Sequence, residues 1–359
     1  MFKNRWVQSL VILILVFALI LLMSLTSFIF DPLLKYVSAV AVPIIGAGVL
    51  YYVTNPIVSL FEKLRINRII AILLVFLLLI SLIALFVLFI FPHAQKQFTN
   101  LVDNIPKMVD ATLKFINQFQ TNQFVIPEQI DDAIQNFMNN IQTYLENVMS
   151  YLFGFIGQVI TVVTSIVMIP FFLFFMLKDG HKLVPFITQI LDEKKAKNVR
   201  SLLKKIDITL TGFIQGQLLV SFILGILLFI GYWIIGLNYA LTLALFGMLM
   251  NVIPFLGPFI AVTPALIVGA FQSPAMFFWV AVITLIAQQI ESNFISPNVM
   301  GRVLSLHPLT VITVILAAGS IAGFLGILFA VPFYAVIKTI VVHFYNTYKE
   351  SKASKEAAS

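Results

Sequence analysis

The sequence predicts an all-α, polytopic helical membrane protein with about eight hydrophobic segments, two of them re-entrant helical hairpins, plus a helical extramembrane insert. Three observations carry this prediction. The 359 residues are 60% hydrophobic and only 10% charged, with a mean hydropathy of +1.03, whereas about a quarter of the residues of a soluble domain are charged. Residues 208–337 contain only two charged side chains, Glu291 and Arg302. Two apolar runs inside that stretch are too long for one straight span, and glycine or proline interrupts both.

The first three spans are expected within residues 1–92, at 6–30, 36–61 and 69–91, each free of charge and near the ~20 residues that cross a bilayer core. Lys3 and Arg5 ahead of an apolar run imitate a signal peptide. Residues 6–30 are longer than a signal's apolar region and lack a small-residue cleavage site, so they read as the first transmembrane helix. Pro43 and the Asn55-Pro56 pair should shorten or bend the second span.

Residues 93–150 form a polar insert. Its apolar positions recur at helical spacing, for example Phe98, Leu101, Val102, Ile105 and Val109, with Pro106 and Pro127 as punctuation. Amphipathic helices that pack on each other or lie at the membrane surface are expected, and a gating or subunit-contact role is the sharper reading. A fourth span follows within 151–178, then a basic helical segment over 179–207.

The distribution of Lys and Arg orients these elements. Lys3, Arg5, Lys63, Arg65, Arg68 and the basic run from Lys178 to Lys205 alternate with the insert, which holds three lysines against six acids. The positive-inside rule therefore puts the insert outside and both termini in the cytoplasm, the polar tail 346–359 included. The net charge of +7 sits beside apolar spans, so no nucleic-acid partner is implied. The absence of cysteine removes disulfides, thiolate metal sites and Cys nucleophiles. The four histidines are scattered, and HExxH, P-loop and GxGxxG patterns are missing. Neither an enzyme nor a metal or cofactor site is expected.

Residues 208–345 have a different texture. A span at 212–236 is followed by 33 residues, 239–271, broken at Asn251-Val-Ile-Pro254-Phe-Leu-Gly257-Pro258. A straight helix of that length would reach about 50 Å, so two shorter helices folded as a hairpin are expected. A further span at 273–290 precedes 308–343, broken by Gly319-Ser-Ile-Ala-Gly323-Phe-Leu-Gly326. The segment beginning at Phe255 matches the one beginning at Phe324 at five of eight positions, an offset of 69 residues (324 − 255). Two span-plus-hairpin units of inverted topology follow from that repeat, and interrupted segments at matching positions point to a transporter's binding site. The bland alternative is that these glycines and prolines only allow close helix packing.

The polar residues of this core are few. Gln288, Gln289, Glu291 and Asn293 form the densest cluster, with Gln288 and Glu291 three apart and Gln289 and Asn293 four apart, so each pair shares a helix face. Gln215 and Gln217 lie in the preceding span, and Asn251 opens the first break. A carboxylate at bilayer depth is costly, so Glu291 must face protein, water or a substrate path. Amides donate and accept, which suits a path for a small polar solute. Arg302 could serve as counter-charge to Glu291, or the two could form a loop salt bridge or cap. The candidate path residues are Gln215, Gln217, Asn251, Pro254, Gly257, Pro258, Gln288, Gln289, Glu291, Asn293, Arg302, Gly323 and Gly326.

Several of these motifs, in this order, resemble the autoinducer-2 exporter (AI-2E) family of bacterial membrane proteins. They are Pro170-Phe-Phe-Leu-Phe-Phe-Met-Leu-Lys178-Asp179-Gly180, Gly212-Phe-Ile-Gln215-Gly216-Gln217, Ile253-Pro254-Phe-Leu-Gly257-Pro258, Glu291-Ser-Asn293-Phe-Ile-Ser-Pro297, His307-Pro308 and Gly323-Phe-Leu-Gly326. The resemblance implies a homo-oligomeric bacterial inner-membrane protein that exports small signalling or metabolic solutes, a furanone-type autoinducer among them, and some relatives look like sodium/proton antiporters. Three expectations stand: a secondary carrier of a small polar solute, a monovalent cation/proton antiporter coupled through Glu291, and a non-transporting scaffold acting through the acidic insert.

Overall fold

The computed structural model describes residues 5–97, 99–100, 103–104, 168–300 and 306–356, and among them every regular element is helical. Five helices are long and apolar enough to cross a membrane, and shorter apolar helices accompany them. Most of the insert and the first part of the fourth span lie outside the described residues. Two compact units are distinguished, one of residues 1–51 and 156–177, the other of 52–155 and 178–359.

The first unit holds α1 (Arg5–Leu25), the start of α2 (Ser27–Lys63) and the start of α4 (Met168–Thr188). A single residue, Thr26, separates α1 from α2, and its hydroxyl donates to the carbonyl of Leu22 at 2.7 Å. Helix therefore runs through Asp31 and Lys35, where the charges mark a loop in the sequence. Side chains of this unit bury little: Ala47, Leu173 and Leu177 are enclosed, while Leu15, Phe17 and Leu22 are exposed, as lipid-facing residues would be.

In the second unit, α3 (Arg68–Leu85) starts on Asn67, whose side chain accepts from the backbone of Ile69, and passes into a π-helical turn, Phe86–Ile90. The framework is α5 (Glu193–Ile234), a single helix of 42 residues, about 63 Å long at ~1.5 Å per residue. The basic segment and the following span are thus one rod with a polar first part and an apolar second part. Its buried positions Val220, Leu224, Leu228 and Tyr232 repeat at intervals of four, the spacing of one helix face.

Against that face fold α6 (Ala240–Met250), α7 (Gly257–Gln272) and α8 (Pro274–Ile290). Their shared core includes Leu228, Tyr232, Leu243, Ala265, Val268 and Val280. Glycines let the helices approach closely: a Cβ on Gly225 would lie 2.7 Å from Met248, and one on Gly231 would collide with Ile283. Helices α6 and α7 are 11 and 16 residues long, about 16 and 24 Å, so each is shorter than a bilayer core of roughly 30 Å.

Beyond α8 come a second π-helical turn, Glu291–Ile295, and the short α9 (Ser296–Met300). The last element, α10 (Pro308–Glu356), is two helical arms folded back on each other as a hairpin. Ala322 and Gly323 leave helical geometry, with Gly323 at φ 59°, ψ −137°. One arm, 308–321, is short; the other, 324–356, is long enough to span by itself, which departs from the expected pair of half-length arms.

Candidate functional site

The two breaks are built alike. At the first, α6 ends at Asn251 and the chain turns through residues 251–256, with Phe255 at φ 63°, before α7 begins. At the second, Gly323 supplies the turn. In both, a glycine seats the returning arm on the backbone of the arriving one: Gly257 on the carbonyl of Met250, and Gly326 on the carbonyl of Ala318. A Cβ at either position would collide with that carbonyl. Residues of both breaks join one apolar cluster: Ile253 of the first lies in its core with Ile315 and Val331, and Leu256 of the first and Phe324 and Ile327 of the second pack against it.

Above that cluster opens a cavity of about 730 Å³. The polar side chains on its wall are Gln217 from α5, Asn251 from the first break, Thr284 and Gln288 from α8, and Glu291, Ser292 and Ser296 from the turn beyond it. Pro254 and Pro258 border it at the break, and Val311 and Val331 bring in both arms of α10. The rest of the wall is apolar. Six of the residues singled out in the sequence therefore meet in one place: Gln217, Asn251, Pro254, Pro258, Gln288 and Glu291.

Thr284, Gln288 and Glu291 reach the cavity at intervals of four and three, the ordinary stripe of a helix face. The π-helical turn then inserts one residue and shifts the register. As a result Ser296, five positions after Glu291, lies over it and donates from Oγ to Oε1 at 3.1 Å. Regular α-helix would have presented Ile295 there. Glu291 is half-buried and is the sole carboxylate lining the cavity among the described residues.

The amides around the first break serve the backbone as well. Nε2 of Gln217 donates to the carbonyl of Asn251 at 2.6 Å, one of the acceptors left without a helical partner where α6 stops. Nδ2 of Asn251 reaches Oγ of Ser221 at 3.4 Å. Both Gln217 and Asn251 are buried. Thr284 is held by the hydroxyl of Tyr232 at 3.0 Å.

Other singled-out residues lie elsewhere. Gln215 donates from Nε2 to the carbonyl of Tyr52 at 2.6 Å. Residue 56 would supply the helical N–H to that carbonyl but is a proline, so Gln215 replaces the missing donor. This is also how α2 passes Asn55-Pro56 unbroken. Gln289 and Asn293 do share a face, Asn293 donating to Gln289 at 2.9 Å, but the pair is exposed and off the cavity wall. Gly257, Gly323 and Gly326 shape the hairpins without lining the cavity. Arg302 lies outside the described residues. Ser292 and Ser296 belong to the polar stretch read from the sequence but were not singled out as path residues, and Thr284 was not anticipated; Thr284, seven residues before Glu291, was within reach of the helical period, whereas the placing of Ser296 over Glu291 depends on the π turn.

Comparison with known proteins follows the same lines. The family model described as "AI-2E family transporter" matches residues 2–346. YueF of Bacillus subtilis (strain 168), provisionally named a transport protein, is 35% identical over 349 residues, covering 95% of this chain and 94% of its own. YrrI of the same organism, with the same kind of provisional name, is 28% identical over 344 residues, covering 94% and 98%. PerM of Escherichia coli (strain K12), provisionally named a permease, is 26% identical over 256 residues, covering 70% and 72%. The chain belongs to the AI-2E transporter family.

Proposed function

We propose that this membrane transport protein is a secondary carrier that moves a small polar solute out of the cell through the cavity beside the first helix break. The observation that supports it is the cavity itself: amides, hydroxyls and a single carboxylate are gathered in an apolar wall, at a place where two broken helices leave backbone groups to be satisfied. Non-helical backbone at membrane depth is tolerated where it lines a cavity, and about 730 Å³ is in the range that encloses metabolite-sized ligands. No nucleotide-binding motif accompanies the site, so movement would follow the solute gradient or that of an ion.

In this reading the two hairpins are re-entrant, the termini face the bacterial cytoplasm, and the protein works as a homo-oligomer. Autoinducer-2 is the solute the family resemblance nominates. Release of labelled autoinducer-2 should be faster from cells that carry the protein than from cells that lack it. Indistinguishable release would remove that solute.

A second reading is favoured by one residue. Glu291, the single carboxylate of the wall among the described residues, could carry a proton in exchange for a sodium ion. Dye-monitored proton flux in vesicles separates the two: a cation-dependent flux in the wild type that disappears in Glu291→Gln supports exchange, and absence of such flux dismisses it. Solute flux in proteoliposomes of the purified protein would set aside a purely scaffolding role.

A further inference from the structure

A second cavity, of about 350 Å³, opens between α5 and the long arm of α10. Lys205 and Thr209 line it from α5, and Lys338, Thr339 and His343 from α10, while Ile208, Leu306 and Val342 give it an aliphatic wall. Among the described residues, Leu306 alone also lines the first cavity. The hydroxyls of Thr209 and Thr339 are 3.4 Å apart, and Nζ of Lys205 lies 3.3 Å from Nδ1 of His343. An ammonium group only donates, so in this contact Nδ1 is the acceptor. No acidic residue lines this cavity among the described residues.

Its level along the helices is marked by charge. On α5, Lys204, Lys205 and Asp207 are the last charged residues before the long charge-poor run; on α10, Lys338 is the first charged residue of the helix. The exposed Phe344, Tyr345 and Tyr348 follow on α10, and such aromatic residues collect where a span leaves the apolar layer for the headgroups. Ammonium, hydroxyl and imidazole N–H groups can all donate to phosphate oxygens, and the aliphatic wall suits the first carbons of acyl chains. Basic pockets between spans take anionic headgroups on these terms.

We propose that this cavity binds a phosphate group, with an anionic phospholipid as the ligand that would use its aliphatic wall too. The purified full-length protein in detergent would be titrated with dioleoyl-phosphatidylglycerol and dioleoyl-phosphatidylcholine, read by native mass spectrometry, and separately with inorganic phosphate, read by thermal shift. Phosphatidylglycerol should bind in preference to phosphatidylcholine. The double variant Lys205→Gln/Lys338→Gln should weaken that binding by about thirtyfold, roughly fivefold for each lysine, and Lys205→Arg/Lys338→Arg should retain it. Stabilisation by inorganic phosphate that the Gln variant loses would support the site with free phosphate as its source. Equal binding of the two lipids without any phosphate response would overturn the proposal, as would unchanged phosphatidylglycerol affinity in the Gln variant. If that variant does not fold, Thr339→Val carries the same comparison.

Discussion

Gly323 and Gly326, three residues apart, resist substitution for different reasons. No atom lies within 4 Å of a Cβ built on Gly323, but its φ of 59° with ψ −137° is a conformation that costs an L-residue about 1–3 kcal/mol. At Gly326 the conformation is ordinary and the obstacle is the carbonyl of Ala318, as at Gly257 it is that of Met250. Alanine at 257 or 326 should destabilise by ~1–3 kcal/mol or more through overpacking, and alanine at 323 by a similar amount through strain. Thermal melting of the purified variants checks all three; a wild-type melting temperature for Gly326→Ala would contradict the tight hairpin. At this scale, polar residues in apolar sequence were easy to find and their facing was harder. Gln215 and Gln217 look alike as letters, yet residues two apart on a helix point about 200° apart. That turn sends one to Tyr52 and the other to the cavity. Ser296 was not legible, because a π-helical turn has no reliable signature in a single sequence and shifts every later residue.

Among the elements, the hairpins were legible because length and composition conflict: a run too long for one span, with glycine or proline near its middle, has few ways to satisfy its backbone in lipid. Loops inferred from charge alone fared less well. Asp31 and Lys35 sit within α2, since charged residues such as lysine do not stop a helix by themselves, whereas the basic segment read as helical is helix over 193–207 and continues into the following span as α5. The two glutamines of α5 each donate to a backbone carbonyl on another element, Gln217 at the first break and Gln215 on α2, and this carries a prediction. Gln217→Leu should take from the buried carbonyl of Asn251 the donor it has in the wild type, costing about 1–3 kcal/mol, and Gln215→Leu, whose acceptor Tyr52 is only half-buried, should cost less. Denaturation of the two variants measures it. Their functional effects should differ: Gln217→Leu alters the cavity wall and slows transport even where the protein is folded, whereas refolded Gln215→Leu transports normally.

For the whole molecule, membership of a transport family and a cavity between two broken helices point the same way. Composition alone pointed to a helical membrane protein, and the repeat directed attention to the two breaks. The sequence does not spell out how α5, α8 and α10 close around one cavity, because that depends on glycine contacts between helices distant in the chain. Glu291→Gln is expected to fold as the wild type does, since the amide still accepts from Ser296, while transport falls about ten- to a hundredfold, the worth of a hydrogen bond to a charged group. Initial rates in proteoliposomes report it.

The absence of cysteine allows the central claim to be tested directly. Solute release would be compared in cells expressing Gln288→Cys, on the cavity wall, or Asn293→Cys, exposed and away from it, before and after a bulky maleimide. If the cavity is the path, modification abolishes release of at least one solute in Gln288→Cys and leaves Asn293→Cys unaffected. Release that survives complete modification of Gln288→Cys, with labelling confirmed by mass, would contradict a path through this cavity.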